Sequence, residues 1–351
     1  MTQRSHTLGI LGGGQLGMMS AQAAKKLGIR TIIYTDEPNS CASRTADDTI
    51  TAPYDDKQSL KSLANQCDTI TYEFENIPVE TVHTLKTMTP VYPDEALLNI
   101  SQDRITEKSY LNTIRLNTAQ WLEIKGYKDI IQAMTSWKTD QIILKTIRFG
   151  YDGKGQFFVK DPSQAEEAWN ALGKQTLIAE QVIDFEHEIS VIVARDHAGN
   201  MVHYGPTLNT HKDHILSETH YPSGLPDHTC IKAVQMTQDL AQNIDLKGLL
   251  CLELFVTRGG DLLANEIAPR THNSGHWSID ACDASQFENH VRAVCGLPLK
   301  EPNPRPARMI NLIGEDILKK DTYKQQENAC VHDYGKQNIK QGRKMGHVTF
   351  L

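Results

Sequence analysis

The apolar positions fall into short blocks separated by glycine and polar turns. Thr7–Leu11 is a continuous apolar run of strand length. Gly12–Gly17 forms a glycine-rich break, and Met18–Leu27 then has helical composition. Gly28 stands where a left-handed residue ends a helix. Ile29–Tyr34 reads as a second strand and Thr69–Tyr72 as a later one. Pro78–Thr87 reads as a helix. Strands alternating with helices predict a parallel sheet covered by helices. Thr89–Asp94, with Pro90 and Pro93, reads as a connection, and Ser101–Ile114 as a helix capped by Ser101.

The pattern then changes. Gln141–Thr146, Gln156–Val159, Thr176–Ala179 and Glu188–Ala194 read as strands, and Thr229–Asn243 as a helix. Gly248–Val256 and Asp261–Ala268 read as strands joined by a tight turn. Hairpins mixed with helices predict α+β. After Pro298, Pro302, Pro304 and Pro306 suggest a stiff linker to a small basic terminal module. The fold class is thus α/β followed by α+β.

Composition narrows the class. The chain has 351 residues, 39% hydrophobic and 23% charged, with a net charge of −7. That balance is globular and argues against wholesale nucleic-acid binding. Seven cysteines without a C-x-x-C spacing argue against a disulfide framework or structural zinc site. Neither a signal peptide nor a membrane span is legible, so the expected location is the cytoplasm.

Five segments could carry chemistry. Gly12-Gly13-Gly14-Gln15-Leu16-Gly17 fits G-x-G-x-x-G, and Asp36 follows Gly17 by 19 residues. A nicotinamide dinucleotide, another phosphate ligand and a bare strand–helix turn all fit. Next, a hairpin turn centred on Gly259-Gly260 pairs residues whose numbers add to 519, and Glu253 and Glu266 are such a pair. Opposed carboxylates repel unless a cation lies between them, and oxygen ligands favour Mg²⁺ or Mn²⁺. Two glutamates on a solvated face are the alternative, which the flanking Cys251, Leu252, Leu254 and Phe255 oppose.

Lys145 with Gly150–Gln156 offers glycine amides and cations to phosphate oxygens, though an ordinary hairpin loop also fits. Arg270, His272 and Asn273 follow the Glu266 strand into a polar loop suited to a small planar anion. Taken singly, His272 could instead cap a loop and Arg270 pair with a carboxylate. Lys336, Arg343, Lys344 and His347 interleave with Gly, Met, Val348 and Phe350 near the end, as a folded anion pocket would, against the alternative of a basic tail.

In this order the segments resemble the ATP-grasp superfamily, closest to its 5-(carboxyamino)imidazole ribonucleotide synthase family. The resemblance runs from Leu8 to Thr349 and is most specific at Gly12–Met19, Tyr72–Ile77, Gly150–Gln156, Asn265–His276 and Arg343–Thr349. It implies a Rossmann-like pre-ATP-grasp domain over 1–100, an ATP-grasp domain over 101–297 with a flexible lobe at about 115–180, and a small C-terminal domain over 298–351. It implies ATP and Mg²⁺, with Mn²⁺ as a substitute, and a homodimer.

The resemblance places ATP on Arg104, Lys145, the loop Gly150, Tyr151, Asp152, Gly153, Lys154, Gly155 and Gln156, and the hinge Glu180, Gln181, Val182 and Ile183. Glu188, His211, Asn265 and Glu266 complete that set, with Glu253 and Glu266 as metal ligands. It places the ribonucleotide on Gln15, Leu16, Glu73, Tyr151, Asp152, Lys336 and Arg343. Bicarbonate falls to Arg270, His272 and Asn273, and Asp152 is a candidate for proton movement. The chain departs from the family pattern at Met18, Phe149 and Thr271. The implied reaction is ATP- and bicarbonate-dependent carboxylation of aminoimidazole ribonucleotide through carboxyphosphate. The rivals are another ATP-grasp ligase and a nicotinamide dehydrogenase.

Overall fold

The structure is a computed structural model that describes residues 6–150 and 155–351. Four strands, β1 (Thr7–Leu11), β2 (Arg30–Thr35), β3 (Asp48–Thr51) and β4 (Thr69–Tyr72), form a parallel sheet in the order β3-β2-β1-β4. Both faces of β1 and β4 are buried, as continuous apolar strands require. The segment read as a connection also joins this sheet, because Val91 bridges Ile70.

The first helix, α1 (Gln15–Lys26), begins three residues before the expected Met18. Its N-cap Gly14 has no side chain, and the missing acceptor comes from far along the chain. The Glu73 carboxylate, just past β4, accepts from the Gly14 N–H at 2.7 Å and the Gly17 N–H at 3.0 Å. Gly28, at φ +72°, ends the helix as expected. Two further helices, α2 (Lys57–Gln66) and α3 (Val79–Lys86), follow in this region.

The expected helix over Ser101–Ile114 is two helices, α4 (Glu95–Gln102) and α5 (Arg104–Thr113). Ser101 lies inside α4, so its assignment as a cap is wrong. Asp103 caps α5 instead, accepting from Ile105 N–H and Thr106 N–H at 3.0 Å each.

A second sheet contains β5 (Trp121–Ile124), β6 (Ile142–Thr146), β7 (Gln156–Val159) and β8 (Leu177–Gln181), in the antiparallel order β5-β8-β6-β7. Helices Tyr127–Trp137 and Ala165–Ala171 bury Ile130, Ala133, Met134 and Ala168 against it.

The third sheet has eight antiparallel strands. They are β9 (Phe185–Arg195), β10 (Met201–Lys212), β11 (Ile215–Tyr221), β12 (Gly248–Thr257), β13 (Leu262–Ala268), β14 (Ala307–Ile313), β15 (Ala329–Asp333) and β16 (Lys344–Phe350), in the order β13-β12-β9-β10-β11-β14-β16-β15. The sheet runs across the boundary expected at residue 298, because β11 pairs with β14 from Glu218↔Ile310 to Tyr221↔Ala307.

The β12–β13 hairpin corrects the turn but keeps the pair. Thr257 N–H donates to Asp261 O and Gly260 has φ +84°, so the loop is Arg258-Gly259-Gly260 rather than a two-residue turn. Next to the turn, partners add to 518, as in Leu254↔Ala264. A bulge at Asn265 then restores Glu253↔Glu266.

Candidate functional site

Two adjoining cavities lie between the N-terminal sheet and the long sheet. One, of about 240 Å³, is lined by Gln15, Leu16, Glu73, Arg270, His272, Asn273 and Lys344, among others. The other, also about 240 Å³, is lined by Gln15, Ser40, Arg44, Lys336 and Arg343, among others. Gly14 and Gln15 line both. The structure therefore brings together the described residues expected to hold the ribonucleotide and bicarbonate. Tyr151 and Asp152 lie outside the described residues, as do Gly153 and Lys154.

The glycine-rich turn is not a vacant phosphate cradle. Glu73 takes the amides of Gly14 and Gly17, and a Cβ on Gly12 would stand 2.4 Å from Glu73 Cγ. Burial pushes this carboxyl upward against the pull of the two amides. A dinucleotide pyrophosphate needs that space and those donors, so the dinucleotide reading of the turn fails.

The carboxylate pair is intact. Glu253 on β12 and Glu266 on β13 are direct cross-strand partners, and both are half-buried. His272 Nε2 lies 3.1 Å from Glu253 Oε1. His272 Nδ1 lies 2.8 Å from Ser274 Oγ and 3.3 Å from the Ser274 N–H, which fixes the ring with Nε2 facing Glu253. Burial alone would raise the Glu253 carboxyl. The His272 contact, with His211 and Lys344 behind it, reverses this and holds it at about 2. Arg104 Nη1 lies 3.4 Å from Glu266 Oε2, and its Nη2 donates to Gly150 O at 2.9 Å. An all-oxygen pair of directly opposed carboxyl groups fits a hard divalent cation.

The anion loop is organised around this pair. Arg270 Nη2 pairs with Glu75 Oε1 at 2.5 Å, and Nη1 donates to Thr271 O. Among the described residues, Arg270 Nε and both amide atoms of Asn273 are buried without a partner. Buried unsatisfied donors beside a cavity suit a small planar anion.

Lys145, expected at the nucleotide, belongs to a buried network of charges. Lys145 Nζ lies 3.0 Å from Glu180 Oε1, and Lys108 Nζ lies 3.6 Å from Glu180 Oε2. Burial would raise Glu180, but Lys145 and Lys108 bring it down to about 2. The Glu180 carboxylate is thus committed to cations, while Val182 and Ile183 follow the end of β8. Gln181 closes that strand, with its N–H on Gln120 O. Glu188 Oε2 lies 2.5 Å from His211 Nδ1. Gly155 and Gln156 lead into β7, where Gln156 pairs with Lys145. Asn265 is the bulged residue of β13.

Several residues near these groups escaped the sequence reading. Arg44 lines one of the cavities, Glu75 holds Arg270, and Glu107 and Lys108 lie 1% exposed beneath β13. Glu73 and Glu75 alternate after a buried strand, a pattern that could have flagged both. Nothing local marks Glu107 or Lys108, whose partners on β13 lie more than 150 residues away.

Family models match in three consecutive stretches. The ribonucleotide synthetase preATP-grasp domain matches residues 5–102 and the ATP-grasp domain residues 109–287. The phosphoribosylaminoimidazole carboxylase C-terminal domain matches residues 307–351. The chain is 44% identical over 346 residues to the N5-carboxyaminoimidazole ribonucleotide synthase of Brucella melitensis, covering 98% of this chain and 95% of that one. It is also similar to an N5-carboxyaminoimidazole ribonucleotide synthetase solved with ADP, at TM-score 0.95 and 36% identity, covering 100% of this chain and 94% of the other. An Aspergillus clavatus N5-carboxyaminoimidazole synthase, solved with ADP and 5-aminoimidazole ribonucleotide, gives TM-score 0.92 at 27% identity, covering 99% and 93%.

Proposed function

The chain belongs to the N5-carboxyaminoimidazole ribonucleotide synthase family of ATP-grasp ligases, and on that premise we propose how its residues divide the work. The reaction joins bicarbonate to the amine of 5-aminoimidazole ribonucleotide with cleavage of ATP to ADP and phosphate, a step of purine biosynthesis. The carrying observation is the succession of sites. The opposed carboxylate pair comes first, then the unpartnered donors of Arg270 and Asn273, then the cavity lined by Lys336 and Arg343.

Arg104, Lys145 and Gly150 face the ATP phosphates, with Val182 and Ile183 at the base and Glu188 at the ribose. Glu253 and Glu266 hold Mg²⁺, for which Mn²⁺ substitutes. The metal supplies charge neutralisation at the transferring phosphoryl group. Arg270, oriented by Glu75, and Asn273 hold bicarbonate, while His272 keeps Glu253 ionised and in place. A bicarbonate oxygen attacks the γ-phosphorus and ADP leaves, giving carboxyphosphate. This breaks down to phosphate and CO₂, and the substrate amine attacks the CO₂ carbon and loses a proton. Exclusion of water protects the labile intermediate. Gln15, Leu16 and Glu73 line the wall between bicarbonate and the ribonucleotide, whose phosphate meets Lys336 and Arg343.

The reading divides the chain into parts over 1–100, 101–297 and 298–351. It also takes the chain to act in the cytoplasm as a homodimer. Seven unpaired cysteines suit a reducing compartment. Among the described residues, no helix is long and apolar enough to cross a membrane. Sedimentation analysis tests the dimer. The assay for the reaction is ADP release with ATP, Mg²⁺ and bicarbonate. Release should rise on adding aminoimidazole ribonucleotide, and label from bicarbonate should enter an acid-labile product. ADP release indifferent to the ribonucleotide would overturn the acceptor.

A further inference from the structure

A single bulged residue decides whether Glu266 meets Glu253. Next to the turn the ladder runs Val256↔Leu262, Phe255↔Leu263 and Leu254↔Ala264. Continued without interruption, that register would set Asn265 opposite Glu253 and turn Glu266 to the reverse face of the sheet. The bulge at Asn265 removes this mismatch. It also lies on the outermost strand of the eight, whose outer side meets the backbone of Asn117–Thr118 at Ala264, where the Ala264 N–H donates to Asn117 O at 2.7 Å, and has no full strand beside it among the described residues.

Two adjacent residues of α5 supply the missing partners. Lys108 Nζ donates to Asn265 O at 2.7 Å and reaches Ala264 O at 3.5 Å. Glu107 Oε1 accepts from the Ile267 N–H at 2.6 Å. The two side chains thus grip the backbone on either side of Glu266. Both are 1% exposed, so water does not replace them. Lys108 is braced in turn by Glu180, which also holds Lys145.

We propose that Lys108 and Glu107 are positioning residues for the metal carboxylates: they fix the β13 bulge and thereby keep Glu266 opposite Glu253. They act through backbone groups of β13 and not on substrate. The proposal rests on the reading of Glu253 and Glu266 as metal ligands, and the test separates the two.

The experiment measures Mn²⁺ binding to the ADP-bound protein from the free-Mn²⁺ signal in electron paramagnetic resonance, beside steady-state kinetics. Supporting residues around metal ligands typically change affinity by roughly 10–100-fold. Lys108→Met should weaken Mn²⁺ binding roughly tenfold and raise the Mg²⁺ needed for half-maximal rate by a similar factor. The KM for aminoimidazole ribonucleotide should stay within about twofold, and Lys108→Arg should recover much of the loss. A merely structural role would not single out the metal dependence. Glu107→Met, which removes only the acceptor for Ile267, gives an independent reading with the same expectation, and Glu107→Gln should bind nearly as wild type. Glu266→Gln is the control. If it binds Mn²⁺ as wild type does, the metal reading fails. If it loses Mn²⁺ while Lys108→Met and Glu107→Met bind normally, the positioning proposal is overturned.

Discussion

Two regions of the chain gather the equipment for holding an anion or a cation, and they differ in what they hold it against. The glycine-rich turn before α1 offers backbone amides at a helix N-terminus, but Glu73 occupies them from within the chain. The β12–β13 hairpin places two glutamates face to face, with His272 and Arg104 only at their flanks. The donors of the turn are already met by a carboxylate of the chain, whereas the hairpin sets two carboxylates directly opposite each other. The lesson is that a glycine-rich motif marks a ligand site only where the fold leaves its donors unoccupied.

The strongest way to break this comparison is at the hairpin. Glu266→Gln should lower kcat by roughly 10³-fold, since the metal carries several kcal/mol of transition-state stabilisation. Near-normal turnover would remove the assignment. Arg270→Met comes next. Losing one charged donor aimed at developing charge should lower kcat/KM for bicarbonate by roughly 10²–10³-fold. The KM for ATP should change little, and an equal rise in both constants would point to a collapsed site.

The turn should respond in the opposite sense. Glu73→Ala leaves two buried N–H groups without an acceptor and should cost about 1–3 kcal/mol of stability in denaturant melts. Because the site is anion-shaped, acetate should restore part of that loss in the variant and do nothing to the wild type. Absence of rescue would show that the turn is not an anion site at all.

The smallest effect sharpens the comparison through pH. Glu180 falls to about 2 in the folded chain because Lys145 and Lys108 outweigh its burial. The unfolded chain binds more protons below the ordinary value of 4.5. Glu180 therefore adds stability above that pH and loses it as pH falls toward 2. Glu107 runs the other way, raised to about 8 by burial and by Glu266. Its contribution is present below pH 4.5 and declines as pH rises toward 8. Urea melts of Glu180→Gln should flatten the acid limb, and those of Glu107→Gln the limb between 4.5 and 8.

The legible part of this molecule was local. Apolar runs such as Thr7–Leu11 and Thr69–Tyr72 are buried on both faces, so composition alone marks them. Gly28 ends its helix because a left-handed residue is needed there. The Glu253–Glu266 pairing came from turn arithmetic in which two one-residue errors cancel, since the three-residue loop shifts the register and Asn265 shifts it back. What stayed hidden depends on distant partners. Glu73 starts α1 from 59 residues away, and Lys108 meets its bulge across 157 residues. No window along the chain contains both members of these contacts. The resemblance supplied the site residues that spacing could not.

The seam between β11 and β14 bears on how the gene could be trimmed or recombined. The proline-bearing stretch before Ala307 invites a cut there, as if a detachable module followed. Yet β14 is hydrogen-bonded along Glu218–Tyr221, so removing residues 307–351 would strip three strands and expose β11 as a raw sheet border. Such borders recruit other chains by strand addition. The last forty-five residues therefore protect the long sheet against self-association as well as lining a pocket, and a shortened chain should fail by aggregating before it fails by losing substrate.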